Sequence, residues 1–257
     1  MITAGIDCGA RNTKTVIMKD GSVIGRGSVL TGFDQEKAIY ESFESALEDA
    51  GVTRQEIERI GGTGSGKDFI RTADSPLDDI RAVSRGGGYF FADAGTVIDV
   101  GAEEGRAVRI DQKGNVIDSE INERCAAGTG TFIEDMARIL EIPLGEMGPL
   151  ALQSDRGIAM NAQCAVFAES EVVGLIHAGT AREDISRAVH EAVAARIVSM
   201  ILRVGVSEDV VMLGGVAFNP AIVEAVRRAL KVEKIYIPDN PQFGAAIGAA
   251  LLAAEGM

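Results

Sequence analysis

Residues 5–24, GIDCGARNTKTVIMKDGSVI, can be laid on residues 97–117, VIDVGAEEGRAVRIDQKGNVI. Asp7 then falls on Asp99, Gly9 on Gly101, Ala10 on Ala102, Lys14 on Arg106 and Val16 on Val108; with one inserted residue, DGSVI meets KGNVI. In each copy alternating apolar residues lead to an Asp-x-Gly-Ala turn, resume, break at Asp20-Gly21 or Lys113-Gly114, and resume again. Apolar alternation interrupted by turn formers is the mark of β-hairpins. Each copy therefore predicts strand, turn, strand, turn, strand, and two lobes built on one plan follow. The expected division is residues 1–94 with 241–257 for the first lobe and 95–240 for the second.

Outside the hairpins the period becomes helical. EKAIYESFESALEDAG (36–51) carries Ile39, Phe43, Ala46, Leu47 and Ala50 at helical spacing and stops at Gly51. Further helices are predicted over 131–141, 165–178 and 183–204. DVVMLGGVAFNPAIVEAVRRAL (209–230) reads as an apolar strand, a Gly214-Gly215 turn and a helix ending by Leu230; EKIYIP is a short strand, and PQFGAAIGAALLAAEG a small-residue helix. The expected fold class is α/β with mixed sheets. EVVGLIHAG (171–179) and the Ala-rich helices read as core, and the acidic residues within 44–58 as a solvated face.

With 257 residues, 46% of them hydrophobic, the chain can bury one large core or two moderate ones. Its 25 Lys and Arg against 38 Asp and Glu leave a net charge of −13, a field that repels nucleic acid and anionic membrane surfaces and argues against both as partners. The opening ITAGIDCGA has no basic region, and nowhere do about 18 uncharged apolar residues run together. A cytoplasmic protein is expected. Three cysteines, Cys8, Cys125 and Cys164, are poor material for a disulfide framework in a reducing compartment. A cysteine with a special role is then catalytic, redox-active or metal-binding, and one without is a buried core thiol.

Two carboxylates at the ends of repeated first strands, each followed by a Gly turn, form a chemical proposal of their own. Facing one another across a cleft, such turns offer backbone N–H groups to a polyphosphate, and Asp7 and Asp99 can hold Mg²⁺ through water. Asn12, Thr13 and Lys14 add donors and one positive charge. At the Gly214-Gly215 turn a nucleotide's sugar and base can come close to the backbone.

Other motifs fall short of a chemistry. GGTGSGKD (61–68) fits G-x-x-x-x-G-K, but Asp68 stands where a phosphate-binding loop needs Ser or Thr for Mg²⁺. It reads as a glycine-rich loop between lobes. His177 and His190 have no nucleophile or carboxylate arranged with them for a hydrolase triad, and Ala194 breaks H-E-x-x-H. Both read as helix-surface or interface residues.

GIDCGARNTK, VIDVGAEEGR and VVMLGGVAFN resemble the phosphate-1, phosphate-2 and adenosine motifs of the ATPase fold shared by actin, Hsp70 and the acetate and sugar kinases, whose two lobes each carry a ribonuclease-H-like sheet. NERCAAGTGTFIEDMARIL (122–140) and NAQCAVFAESEVVGLI (161–176) resemble the cysteine segments of the ATP-dependent activases of 2-hydroxyacyl-CoA dehydratases and of the homologous ATPase subunits of benzoyl-CoA reductases. That resemblance spans essentially the whole chain. It implies that Gly9, Ala10, Arg11, Asn12, Thr13, Lys14, Gly101 and Ala102 hold the phosphates of ATP, that Gly214, Gly215, Asn219 and Gln242 lie on the adenosine side, and that Asp7 and Asp99 organise Mg²⁺. It makes Glu103 or Glu104 the candidate that positions the attacking water. It further implies that Cys125 and Cys164 ligate a [4Fe–4S] cluster which, needing four ligands, is shared with an identical or homologous subunit. The implied donor is reduced ferredoxin or flavodoxin, and the implied acceptor a benzoyl-CoA reductase-type catalytic component or a 2-hydroxyacyl-CoA dehydratase. The second turn, Ala102-Glu103-Glu104, stands where the activases usually carry Gly-Gly-Gln-Asp and looks closer to the smaller ATPase subunits of benzoyl-CoA reductases. Cys8, where the family often has an aliphatic residue, reads as core. Kinases of the superfamily lack the cysteine pair, so a sugar or carboxylate kinase without a cluster is the alternative reading, and a structural ATP-binding module a third.

Overall fold

The computed structural model describes residues 1–122, 128–160, 165–207 and 209–256. Its first sheet is built from Ile2–Cys8 (β1), Asn12–Lys19 (β2) and Ser22–Leu30 (β3), an antiparallel meander, with Arg59–Thr63 (β4) and Ser75–Pro76 (β5) added parallel beyond β1. The strand order is β3-β2-β1-β4-β5. Thr96–Val100 (β6), Gly105–Ile110 (β7), Val116–Asn122 (β8), Val210–Leu213 (β9) and Ile235–Tyr236 (β10) form the second sheet in the order β10-β9-β6-β7-β8. Strand for strand and sense for sense this is the first sheet again. The registers repeat as well: Asp7 pairs with Lys14 and Asp99 with Arg106, and the ladder of each hairpin slips at the same step, between Ile17 and Met18 in one and Arg109 and Ile110 in the other. A bulge bends and twists its strand, so the two sheets share their curvature as well as their order.

Both faces of β1 are buried because a helix covers each. On one side lies Gln35–Ala50 (α1), capped by the Asp34 carboxylate on the Lys37 N–H at 3.0 Å and stopped by Gly51 in the left-handed region at φ 65°. Ile39, Phe43, Ala46 and Leu47 of α1 pack on Ala4, Ile6 and Ile17. On the other side lies Gly244–Ala254 (α8), which returns from the second sheet to pack Ala246, Ile247 and Ala250 on Val16 and Met18. Its small residues have a steric cause. A Cβ at Gly5 or Gly61 would strike the Ala246 or Ala249 carbonyl, and one at Gly248 would strike the carbonyl of Ala82 in Asp79–Phe90 (α2). Gly61 and Gly62 thus belong to β4, Gly61 under α8 and Gly62 against Ile70 and Ala73, not to a loop between lobes.

The second sheet carries the larger core. Gly130–Ile139 (α3), Leu144–Ala151 (α4), Ala165–His177 (α5), Arg182–Val204 (α6) and Pro220–Leu230 (α7) contribute Phe132, Met136, Met147, Val172, Val189, Ile197 and Ile222 to it, packed on Ile98, Ala107 and Met212. EVVGLIHAG is only partly core: in α5 Val172 is buried, whereas Phe167, Val173 and Ile176 are exposed. Helix α2 lies between the sheets, touching α8 on one side and Val97, Val108 and Leu213 on the other. Among the described residues no helix is long and apolar enough to cross a membrane.

Two alanine substitutions separate steric need from helix propensity. Gly248→Ala is expected to destabilise by at least about 1–3 kcal/mol, since overpacking against a backbone carbonyl has no side chain to displace. Gly88→Ala, in α2 with open space around it, is expected to stabilise by about 0.5–1 kcal/mol. Thermal unfolding of the two variants checks both signs.

Candidate functional site

The turns after β1 and β6 open onto one cleft of about 550 Å³ between the sheets. That is the size of a small-ligand site. The turns are closed alike, by the Gly9 N–H on the Asn12 carbonyl at 3.2 Å and the Gly101 N–H on the Glu104 carbonyl at 2.9 Å. Of the residues singled out from sequence, Asp7, Gly9, Ala10, Arg11, Asn12, Lys14, Asp99, Gly101, Ala102, Glu103, Glu104, Gly214, Gly215, Asn219 and Gln242 all line this cleft. Thr13 does not: its side chain is fully buried, with Oγ1 on Cys8 Sγ at 3.6 Å and on Thr31 Oγ1 at 3.0 Å, because β-strand alternation turns it away from the side of Asn12 and Lys14. Cys125 and Cys164 lie outside the described residues. Cys8 is a core thiol, and burial pushes its pKa up.

The floor is made of two carboxylates and their cations. Lys14 Nζ stands 2.7 Å from Asp7 Oδ2, and Arg106 Nη1 stands 3.3 Å from Asp99 Oδ2, the same cross-strand pair in both copies. Arg106, which the repeat aligned with Lys14, is an unforeseen member of the site. Its Nη2 also binds Glu104 and lies 3.5 Å from Asp79 at the start of α2. Asp79 in turn accepts from Thr63 Oγ1 at 2.8 Å, the Gly64 N–H at 3.1 Å and Lys67 Nζ at 3.1 Å. The first sheet and the second are therefore tied through one guanidinium. The same bonds dispose of the loop-like motif at 61–68: Gly64, at φ 92°, passes directly over the Asp7 carboxylate, the Gly66 N–H bonds the Cys8 carbonyl at 2.9 Å, and Lys67 is engaged by Asp79.

Burial pushes the Asp99 carboxyl above its ordinary range, partly offset by Arg106, with the charge of Asp7 adding to the rise. Burial also raises Asp79, but the Thr63 hydroxyl and the charges of Arg106 and Lys67 outweigh it and hold that carboxyl below its ordinary range.

The second turn is bonded to the helix behind it. The first N–H groups of α3 have no side-chain cap; Gly130 donates to the Gly101 carbonyl and Thr131 to the Ala102 carbonyl, both at 2.9 Å. Across the cleft Arg11 of the first turn reaches Glu134 of α3 at 3.4 Å. On the far wall, Gly214 at φ 84° is a glycine because its turn presses on the Val100 carbonyl, whereas Gly215 has open space before it. Asn219 caps α7 through Oδ1, and its Nδ2 meets His190 Nε2 at 2.9 Å. His190 is accordingly buried between α6 and α7 rather than on a helix surface; His177 is exposed.

The model of the BadF/BadG/BcrA/BcrD ATPase family matches residues 4–253. The chain belongs to that family. Among relatives, it is 38% identical to the activator of lactoyl-CoA dehydratase of Anaerotignum propionicum, over 99% of this chain and 98% of that one. It is 31% identical to a benzoyl-CoA reductase subunit of Thauera aromatica, over 97% and 92%. The crystal structure of component A of the Acidaminococcus fermentans (R)-2-hydroxyglutaryl-CoA dehydratase superposes with a TM-score of 0.95 at 32% identity, covering 100% of this chain and 98% of that one. The activator of the 2-hydroxyisocaproyl-CoA dehydratase from Clostridium difficile with bound ADPNP superposes at 0.93 and 33%, covering 100% and 95%. A ROK family glucokinase from Streptomyces griseus, covering both chains fully at 0.61 and 14%, shares the fold alone. The architecture is thus the duplicated ATPase fold of actin, Hsp70 and the sugar kinases, as the three motifs implied.

The two shifted carboxyls give opposite expectations in the nucleotide-free protein. Asp99, raised in the fold, stabilises only below the ordinary carboxyl value of about 3.9, and this is lost as pH rises through its folded value. At pH 7 its charge costs stability, so Asp99→Asn should melt at or above the wild-type temperature. Asp79, lowered in the fold, contributes stability above about pH 3.9 that is lost as pH falls through its folded value. Asp79→Asn should lose about 1–3 kcal/mol at pH 7, and the deficit should shrink in acid. Calorimetry between about pH 3 and 7 reads both.

Proposed function

We propose that the protein is an ATP-driven electron activator, one of two identical or homologous subunits sharing a [4Fe–4S] cluster, which takes electrons from reduced ferredoxin or flavodoxin and delivers them to an enzyme acting on a CoA thioester. The observation that carries the reading is the pair of backbone bonds from α3 to Gly101 and Ala102. In sequence α3 follows Cys125 by five residues, so the turn implied to hold phosphates is continuous with the segment implied to hold the cluster. The ADPNP-bound relative, similar over its whole length, supports the nucleotide half.

In this reading the two turns present their N–H groups to the phosphates, and Lys14 and Arg106 balance the charge of the floor. Asp7 and Asp99 would hold Mg²⁺, which when bound supplies charge neutralisation on the phosphates. The raised Asp99 fits this: a buried carboxylate made costly by burial is relieved by a divalent cation. Glu104 is held by Arg106, while Glu103 lines the cleft, is exposed and has no ion pair among the described residues; Glu103 is therefore the better candidate to orient water. Nucleotide can drive electrons uphill only by binding two conformations unequally. For one electron about 59 mV corresponds to about 1.4 kcal/mol, so a lift of a few tenths of a volt demands several kcal/mol of that inequality.

Chain division and assembly follow the same line. Residues 1–94 with 241–257 form one lobe and 95–240 the other, a division supported by the return of α8 to β1 and β4, and α2 is the joint. A second subunit would cover the exposed Phe167, Val173 and Ile176 of α5, the helix that directly follows Cys164 and packs on α3. The implied thiolates of Cys125 and Cys164, two from each subunit, complete the four ligands. The 38% identity to the lactoyl-CoA dehydratase activator, against 31% to the reductase subunit, favours a 2-hydroxyacyl-CoA dehydratase as acceptor; the Ala102-Glu103-Glu104 turn favours a benzoyl-CoA reductase-type partner.

Protein purified without oxygen should be brown and carry iron and sulfide. Cys125→Ala and Cys164→Ala should each lose colour, iron and electron transfer, and weaken the dimer, while still binding ATP. Asp7→Asn should keep its iron and lose ATP hydrolysis. A colourless, iron-free wild type that phosphorylates a sugar or small acid would establish the kinase reading instead.

A further inference from the structure

Behind the far wall of the cleft stands a histidine with no part in the chemistry above. His190 lies in the middle of α6 and is 1% exposed. Its Nδ1 is 2.6 Å from the Ser186 carbonyl oxygen, one turn earlier. A carbonyl only accepts, so Nδ1 carries the proton. Its Nε2 is 2.9 Å from Asn219 Nδ2. The orientation of that amide is settled separately, because Asn219 Oδ1 accepts from the N–H groups of Ala221 at 3.1 Å and Ile222 at 3.3 Å. Nδ2 therefore donates to Nε2, and the ring is the neutral Nδ1–H tautomer. Ser186 is anchored in its turn by donating from Oγ to the Met147 carbonyl of α4 at 2.8 Å.

Asn219 belongs to the cleft. Besides capping α7 it presses on Gly148 of the facing helix, where a Cβ would meet Oδ1 at 2.6 Å, and both residues line the cavity together with Pro220. Turning the amide over would place its NH₂ against the N–H groups of Ala221 and Ile222, losing the cap and reshaping that wall.

We propose that His190 is a positioning residue for nucleotide binding: in its neutral form it locks the Asn219 amide in the orientation that caps α7 and shapes the adenosine side of the cleft. The inference rests on the nucleotide reading of the cleft. Protonation would make both ring nitrogens donors and set Nε2–H against the Asn219 NH₂, so the lock holds only while the ring is neutral. Burial pushes the His190 pKa below its ordinary value, against smaller opposing effects of the Ser186 carbonyl, Glu191 and Asn219. The charged groups around it are Arg187 and Glu191 on its own helix and Glu224 and Arg228 on α7; α4 presents Ala151 and Leu152 there. Glu191 is paired with Arg228 and Arg187, and Glu224 with Arg227, so each acid near the ring has its cation.

Calorimetric titration of the intact protein with ADP between about pH 5 and 8 tests this. Wild-type affinity should be level above the ordinary histidine value of about 6.5 and weaken below it as the ring charges, at a pH that burial moves down, towards a loss of about three- to tenfold, the size of one lost hydrogen bond. His190→Gln, whose amide oxygen can accept from Asn219, should bind within about twofold of wild type at pH 7.5 and lack that part of the acid weakening. His190→Leu should bind about three- to tenfold more weakly at every pH. Asp99 and the phosphates titrate in all three proteins, so the difference from His190→Gln isolates the ring, and that comparison decides alone if the leucine variant does not fold. Superimposable profiles for wild type and His190→Gln overturn the inference and leave the nucleotide site standing. Wild type that binds no ADP at any of these pH values overturns both.

Discussion

Lys14 on Asp7 and Arg106 on Asp99 are one interaction made twice: a cation on the second strand of a hairpin set against a carboxylate on the first, both at the floor of one cleft. Carboxylates are tolerated there only with such partners, since burial alone would favour their protonated forms. The copies have diverged in the cation. An ammonium is a compact charge that serves one carboxylate, whereas a guanidinium offers a planar fork of donors. Arg106 uses that fork to reach Asp99, Glu104 and Asp79 at once. Because Asp79 is also held by Thr63, Gly64 and Lys67, the cleft floor is connected to α2 and to the turn over β1. Charge added to the floor competes for Arg106, and what Arg106 releases is the tie between the sheets.

What could be read beforehand was local. The duplicated hairpins are set by residues a few positions apart, and with them came Asp7, Asp99, both Gly turns and the plan of both sheets. α1 and α7 announce themselves by their apolar spacing and caps. α2 was hidden because Gly86, Gly87 and Gly88 lower helix propensity, and only contact explains two of them: a Cβ at Gly86 would strike the Gly244 carbonyl and one at Gly87 the side chain of Val97. The glycines of 61–66 look like a phosphate loop for a similar reason. Gly61 fits against α8 and Gly64 and Gly66 against the end of β1, demands made by residues far away in sequence, and Gly62 against Ile70 and Ala73. Asp79 and His190 carried no signal at all, since their partners Arg106 and Asn219 lie 27 and 29 positions along the chain.

The contacts across the cleft differ in strength, and the difference says which parts move together. Arg11 and Glu134 are 57% and 29% exposed, a setting in which an ion pair is worth about 0–1 kcal/mol. Such a pair does not by itself hold the first turn against α3. Gly101 and Ala102, by contrast, are joined to α3 by two backbone hydrogen bonds that satisfy the otherwise uncapped start of that helix, and breaking them would orphan donors among packed residues. The second turn and α3 are therefore one body. Phe132, Ile133 and Met136 of α3 are packed in the core of the second sheet together with Ala168 and Val172 of α5, so the turn is bonded to a helix that is itself fixed in that core. The turn, α3 and the α5 residues packed on it therefore act together, and the contact of Arg106 with Asp79 is what couples them to the first sheet.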